Sequence, residues 1–268
     1  MTFLENILRI LDLQMTRPEL YGWFHIVSLL LTVAATVALC HWGKGCAPRK
    51  VVLITAVIVT VLEIYKQINY SFSYENGIRF DYQWYAFPFQ FCSTPMYIGL
   101  LAGLTKKGKL HEAANAYLAT YAVFAGVCVM LYPSTVFIST VGINIQTMVC
   151  HGSMILIGIY LLATGYVKAE HKTILKAAPV FAVCVAIACV MNELAYRTGL
   201  LETETFDMFF ISPYGTPSLP VYSLVQNMVP FPWCLVIYVA AFTLAAYLML
   251  LAAMGIKALF KKKAAISA

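Results

Sequence analysis

Apolar residues run along this chain in long blocks separated by short polar clusters, and the blocks set the architecture. A helix needs about 20 mostly apolar residues to cross a bilayer. Seven segments meet that requirement, near 21–42, 50–72, 87–105, 112–132, 144–167, 174–197 and 231–256. The third is the shortest and least regular, holding Pro88, Pro95, Gly99 and Gly103. Its two glycines predict a helix-packing patch. Ahead of the first block, Phe3, Leu4, Ile7, Leu8 and Leu11 recur at helical spacing, predicting a short amphipathic helix in the membrane interface. Glu5, Arg9 and Asp12 interrupt that stretch, so it does not read as a cleavable signal peptide. The expected organisation is an interfacial segment over 1–20, an all-α seven-helix membrane domain over 21–256 with a long outer loop at 198–230, and a basic tail over 257–268.

Composition agrees. Of the 268 residues, 61% are hydrophobic and 11% charged, against roughly 25% charged in an average soluble domain. Mean hydropathy is +0.78. This excludes a nucleic-acid-binding domain, a secreted disulfide scaffold and a disordered chain. The eight cysteines lie mostly in apolar segments without paired spacing and read as free thiols. The net charge of +6 matters less than its placement. Thirteen Lys or Arg fall in the loops at 43–50, 106–111 and 168–176 and in the tail, against four on the other side. By the positive-inside rule the N-terminus is outside and the C-terminus cytoplasmic. The expected location is the cell membrane, crossed several times.

Ionisable and strongly polar side chains are costly inside a bilayer and mark a site, a relay or a packing contact. Here they gather under the outer surface: His25 in span 1, Glu63, Lys66 and Asn69 in span 2, Gln90 and Cys92 in span 3, Asn144 and His151 in span 5, Asn192 and Glu193 in span 6. The inner halves of the same spans are nearly pure Leu, Ile, Val and Ala. That pattern predicts a polar cavity in the outer half rather than a continuous pore. Glu63 and Lys66 at i, i+3 can form an ion pair, and Pro95 should loosen span 3 beside Cys92. Cys92 and His151 have matching types and depths for a thiol nucleophile and its imidazole base. They are expected within hydrogen-bond reach or one small side-chain adjustment of it, with Cys128 as the reserve thiol.

Three short elements carry a family resemblance. Phe87-Pro88-Phe89-Gln90-Phe91-Cys92-Ser93 resembles the aromatic-Pro-x-Gln/His-x-Cys element of the bacterial YwaF-type integral membrane family. Cys150-His151-Gly152 resembles that family's fifth-span His-Gly, and Pro230-Phe231-Pro232-Trp233 its Gly-Pro-Trp-Pro-Trp at the last span, with Met228-Val229 where Leu-Gly is usual. The family is similar to animal transmembrane protein 164, described as an acyltransferase that remodels ether phospholipids through an essential cysteine. The resemblance implies Cys92 as nucleophile and His151 as its partner.

The expected function is therefore a membrane acyltransferase, transacylase or acyl hydrolase acting on a phospholipid or related lipid ester through a thioester. It needs no soluble cofactor and no metal; its partners are membrane phospholipids, not nucleic acid. Asn144, Gln90 or Asn192 would donate to the oxyanion. Glu63 with Lys66 would orient His151 or bind a phosphate headgroup. One alternative is a binding or transport protein using the same cavity, although no inverted repeat is visible. Another is a metal-dependent hydrolase using His25, His151 and a carboxylate from Glu63 or Glu193. The apolar knot of Phe206, Met208, Phe209, Phe210 and Ile211 in the long loop is expected at interface depth, as an anchor or as a lid.

Overall fold

The computed structural model describes residues 3–73, 77–215 and 220–266. Parts of the second loop, the long loop and both chain ends lie outside them. The elements are α1 (Phe3–Leu11), α2 (Trp23–Trp42), α3 (Pro48–Asn69), a small hairpin of β1 (Phe72–Ser73) and β2 (Arg79–Phe80), α4 (Thr94–Leu104), α5 (Lys109–Leu118), α6 (Tyr121–Leu131), α7 (Val141–Ala163), α8 (His171–Arg197), α9 (Pro220–Met228) and α10 (Phe231–Ile266). Among the described residues six helices are long and apolar enough to cross a membrane, α5 and α6 counting together as one.

The expected third span is different. Only Thr94–Leu104 is helical, 11 residues, or about 16 Å at helical rise, half a bilayer core. Proline is the reason. Pro95 lacks an N–H and fits only the first turn of a helix, which is where it sits. Residues 87–93, with Pro88, stay irregular, and Cys92 lies just ahead of a helix N-terminus rather than within a helix. Arg49 donates to the Gly103 carbonyl (3.5 Å), setting the end of α4 beside the start of α3. Pro88 shares a cleft with Ser71 and Phe72 beyond the end of α3. Residues 88–104 therefore join the two ends of the bundle, partly as loop and partly as helix.

The α5–α6 span and α7 form the centre. Buried positions make up 72% and 61% of their apolar windows, against 11–33% for the other four spans. Around them, α2 and α3 pack on α7, α4 on α3 and α5, α8 on α5, and α10 on α6 and α8. A Cβ at Gly103 would lie 2.6 Å from the Leu53 Cβ, and one at Gly99 3.0 Å from that of Ala56. The packing patch expected at these glycines is thus where α4 meets α3. An aromatic core fills the other side, with Phe91, Tyr121, Phe181, Phe209, Tyr238 and Phe242 ring to ring.

The apolar knot of the long loop belongs to that core. Met208, Phe209 and Ile211 are fully buried and Phe206 nearly so. Phe209 adopts φ 62° and packs on Phe89, Phe91 and Phe181. Four of the five residues plug the bundle from one end; only Phe210 is exposed. These side chains turn into the bundle, where packing on aromatic rings removes them from water.

Candidate functional site

The densest polar cluster lies where α3 faces α7. Glu63 is 7% exposed, and its carboxylate accepts from the Lys66 ammonium (2.8 Å), the Gln67 amide (2.8 Å) and the Gln146 amide (3.4 Å). The ion pair expected at i, i+3 is present, and three donors offset the cost of burying the charge. Gln146 also reaches the Cys150 sulfur (3.4 Å), and Thr147 donates to Gln146 (3.4 Å). Gln67 in turn donates to the Ala86 carbonyl (2.9 Å) and accepts from Tyr82 (2.6 Å), fastening residues 82–86 over the end of α3. Cys92 and Cys150 both lie within electrostatic reach of Glu63 and Lys66 and, in the case of Cys150, of Cys92.

His151 occupies the next position on α7 and is 5% exposed. Its Nδ1 lies 2.7 Å from the Thr147 carbonyl. A carbonyl only accepts, so Nδ1 carries the proton and Nε2 is the lone-pair nitrogen. Nε2 is buried and has no hydrogen-bond partner. No hydrogen bond joins Cys92 and His151. Cys92 sits on an irregular segment ahead of α4, and His151 is turned about 100° around α7 from Cys150. His151 is nonetheless within electrostatic reach of Lys66.

The other polar residues do different work. Asn144 accepts from the Ile138 N–H (3.0 Å) and donates to its carbonyl (2.7 Å). Asn192 makes the same paired contact with Met208, at 2.8 and 3.0 Å. Gln90 bonds the Phe209 N–H (2.9 Å) and the Asp207 carbonyl (2.9 Å). These three amides hold backbone of the 132–140 and 198–230 loops. Asn69 binds Leu11 and Asp12, securing the segment after α1. His25 uses both ring nitrogens, on the Tyr21 N–H and the Met130 carbonyl. It has no lone pair left for a metal. Glu193 is half-exposed and binds Arg197 and Tyr214 at the rim. Among the described residues no three His, Cys, Asp or Glu converge as metal ligands.

Two cavities adjoin the cluster. An open cleft of about 440 Å³ between α3, the hairpin and α4 has Ile64, Ile68, Phe80 and Tyr97 at its wide side and Glu63 and Gln67 in its wall. A narrow crevice on the inner side of Met96 reaches Pro95, Cys150 and Ser153. Met96 lines both. Sequence reasoning missed Gln67, Gln146, Tyr82 and the Cys150 thiol. Only the i+4 spacing of Glu63 with Gln67, and of Gln146 with Cys150, hinted at them.

This arrangement joins an ion pair, two thiols and a proton-accepting imidazole in an apolar bundle, with an open cleft beside it. Neither a curated protein nor a solved structure matches the chain. The sequence model of the TMEM164 family matches residues 20–250, most of its length. The chain is a multi-pass membrane protein that belongs to the TMEM164 family.

Proposed function

We propose that the protein is an acyltransferase or acyl hydrolase of the cell membrane, with Cys92 as nucleophile and His151 as base, acting on a phospholipid ester that enters from the outer leaflet. In this reading the chain crosses the bilayer seven times, once through residues 87–105, with its N-terminus outside. The observation that carries it is the His151 ring. Its tautomer leaves a buried, unpartnered Nε2 as a proton acceptor. Cys92 adds a thiol on the irregular segment just ahead of the α4 N-terminus.

The chemistry follows. The Cys92 side chain rotates toward α7 and its proton passes to Nε2. The sulfur attacks the ester carbonyl, and Lys66 would serve as donor to the developing oxyanion. Collapse of the tetrahedral intermediate breaks the ester C–O bond, and the imidazolium returns the proton to the leaving alcohol. An acceptor alcohol or water, deprotonated by Nε2, then attacks the Cys92 thioester and releases the thiol. The acyl chain would lie in the cleft, beside Met96 and Glu63. The other amides of the expected polar cavity contribute by fixing the loops that close its far end.

The absence of a hydrogen bond between Cys92 and His151 favours a second reading, in which the cleft only binds a polar ligand. Intact-protein mass spectrometry after incubation with a mixed phospholipid extract separates the two. An acyl-sized, hydroxylamine-labile adduct on the wild type, absent from Cys92→Ser, is expected. No adduct at any time point, with folded protein, leaves binding alone.

A further inference from the structure

The basic end of the bundle holds a separate polar cavity of about 610 Å³ between the first turns of α5 and α8 and the turn at Tyr166–Lys168. Its floor is a directed hydrogen-bond network. Asn115 Nδ2 lies 2.8 Å from the His111 carbonyl, which identifies it as the amide nitrogen. It also lies 3.2 Å from His111 Nε2, so that ring nitrogen accepts. Tyr166 donates to the same nitrogen (2.8 Å), and His111 Nδ1–H is left to donate to Thr105 (3.1 Å), whose hydroxyl continues to the Leu101 carbonyl (2.6 Å). Every donor in the chain has an acceptor. One acceptor has nothing: Asn115 Oδ1, on a residue 3% exposed in the cavity wall. A buried acceptor left unmade costs about 1–3 kcal/mol, so its persistence points to a donor brought by a ligand.

The rim gives the ligand's charge. Lys106, Lys107, Lys168 and Lys176 line the cavity against Glu112 and Glu170, a surplus of two positive charges with His111 neutral. Lys176 is tied to Glu112 at 2.7 Å, which leaves Lys106, Lys107 and Lys168 as the exposed cations. The N-terminal turns of two helices also open onto it, each favouring an anion. We propose that this cavity binds a phosphate ester carrying a hydroxyl or amine, the phosphate among the lysines and the hydroxyl or amine donating to Asn115 Oδ1. Both a soluble phosphate ester and a phospholipid headgroup of the adjacent leaflet have this chemistry. The site shares no residue with the Cys92 cluster and does not depend on it.

The test is thermal unfolding of the full chain in phosphatidylcholine nanodiscs. One arm adds sn-glycerol 3-phosphate; the other dopes the disc with phosphatidylglycerol. A saturable rise of the midpoint is expected in one arm, which names the source. Lys106→Gln/Lys168→Gln, on exposed side chains that leave the fold alone, should weaken that response roughly tenfold, a loss of 1.4 kcal/mol. Probes without the hydroxyl, methyl phosphate or phosphatidylmethanol, should bind roughly fivefold less well, the usual value of one hydrogen bond. Asn115→Ala should erase that preference. No shift in either arm overturns the proposal. So does a response that the lysine substitutions leave intact, or equal binding of the hydroxyl-free probes to the wild type.

Discussion

His151 gives its Nδ1 proton to the carbonyl of Thr147, one turn back on the same helix and 2.7 Å away. That single bond orients the ring and decides which nitrogen can take a proton. With the base role proposed above, His151→Gln should lower turnover by about 10²–10⁴-fold. The thermal midpoint should move little, because the lost bond lies within one helix. Assay of acyl release beside a melting curve checks both; retained turnover removes His151 from the chemistry.

Glu63 and Lys66 are a buried pair, with side chains 9% and 16% exposed. Glu63→Gln strands the ammonium and should destabilise the fold by about 3–5 kcal/mol. Glu63→Gln/Lys66→Met, which removes both charges, should regain most of that loss. Denaturant unfolding in mixed micelles measures the difference, and a double variant weaker than the single would contradict the pairing argument.

Gln90 and Asn192 grip adjacent residues of one loop, Phe209 and Met208. Replacing either by Leu leaves backbone groups unmatched and should cost about 1–3 kcal/mol. The two losses should not add, since the loop leaves its pocket as a unit. A double-mutant cycle reads the coupling directly; additive losses would mean the two amides act independently.

Asp207, in the long loop, accepts from the Ser212 N–H (2.8 Å), yet burial pushes its carboxyl up from 3.8 to about 6. The folded state then binds its proton more tightly than the unfolded chain. Its contribution is complete below about pH 4 and is lost as pH rises through about 6. Melting midpoints should fall across that interval in the wild type and stay flatter in Asp207→Asn. An identical slope in both proteins would place the titration elsewhere.

Much of the site was legible in the residues. Glu63 and Lys66 were paired from their spacing alone, because i, i+3 contacts follow from helix geometry. Cys92, beside Pro95, was marked as a place where helix would fail, though the failure runs further, through residue 87. Asn144, Asn192 and Gln90 look the same in sequence whether they face a ligand or a loop. Their loops return to them from 6, 16 and 119 residues away, and no local pattern shows where an irregular loop will dock.

What the sequence alone determined is the membrane class and the long helices. These depend on hydrophobic run length and local periodicity, which each residue carries with it. The tertiary structure decided which polar groups are occupied, that the aromatic knot plugs the core, and that His151 keeps one nitrogen free. Those depend on which side chains meet across helices, and hydrogen bonds and close packing are decided by that meeting.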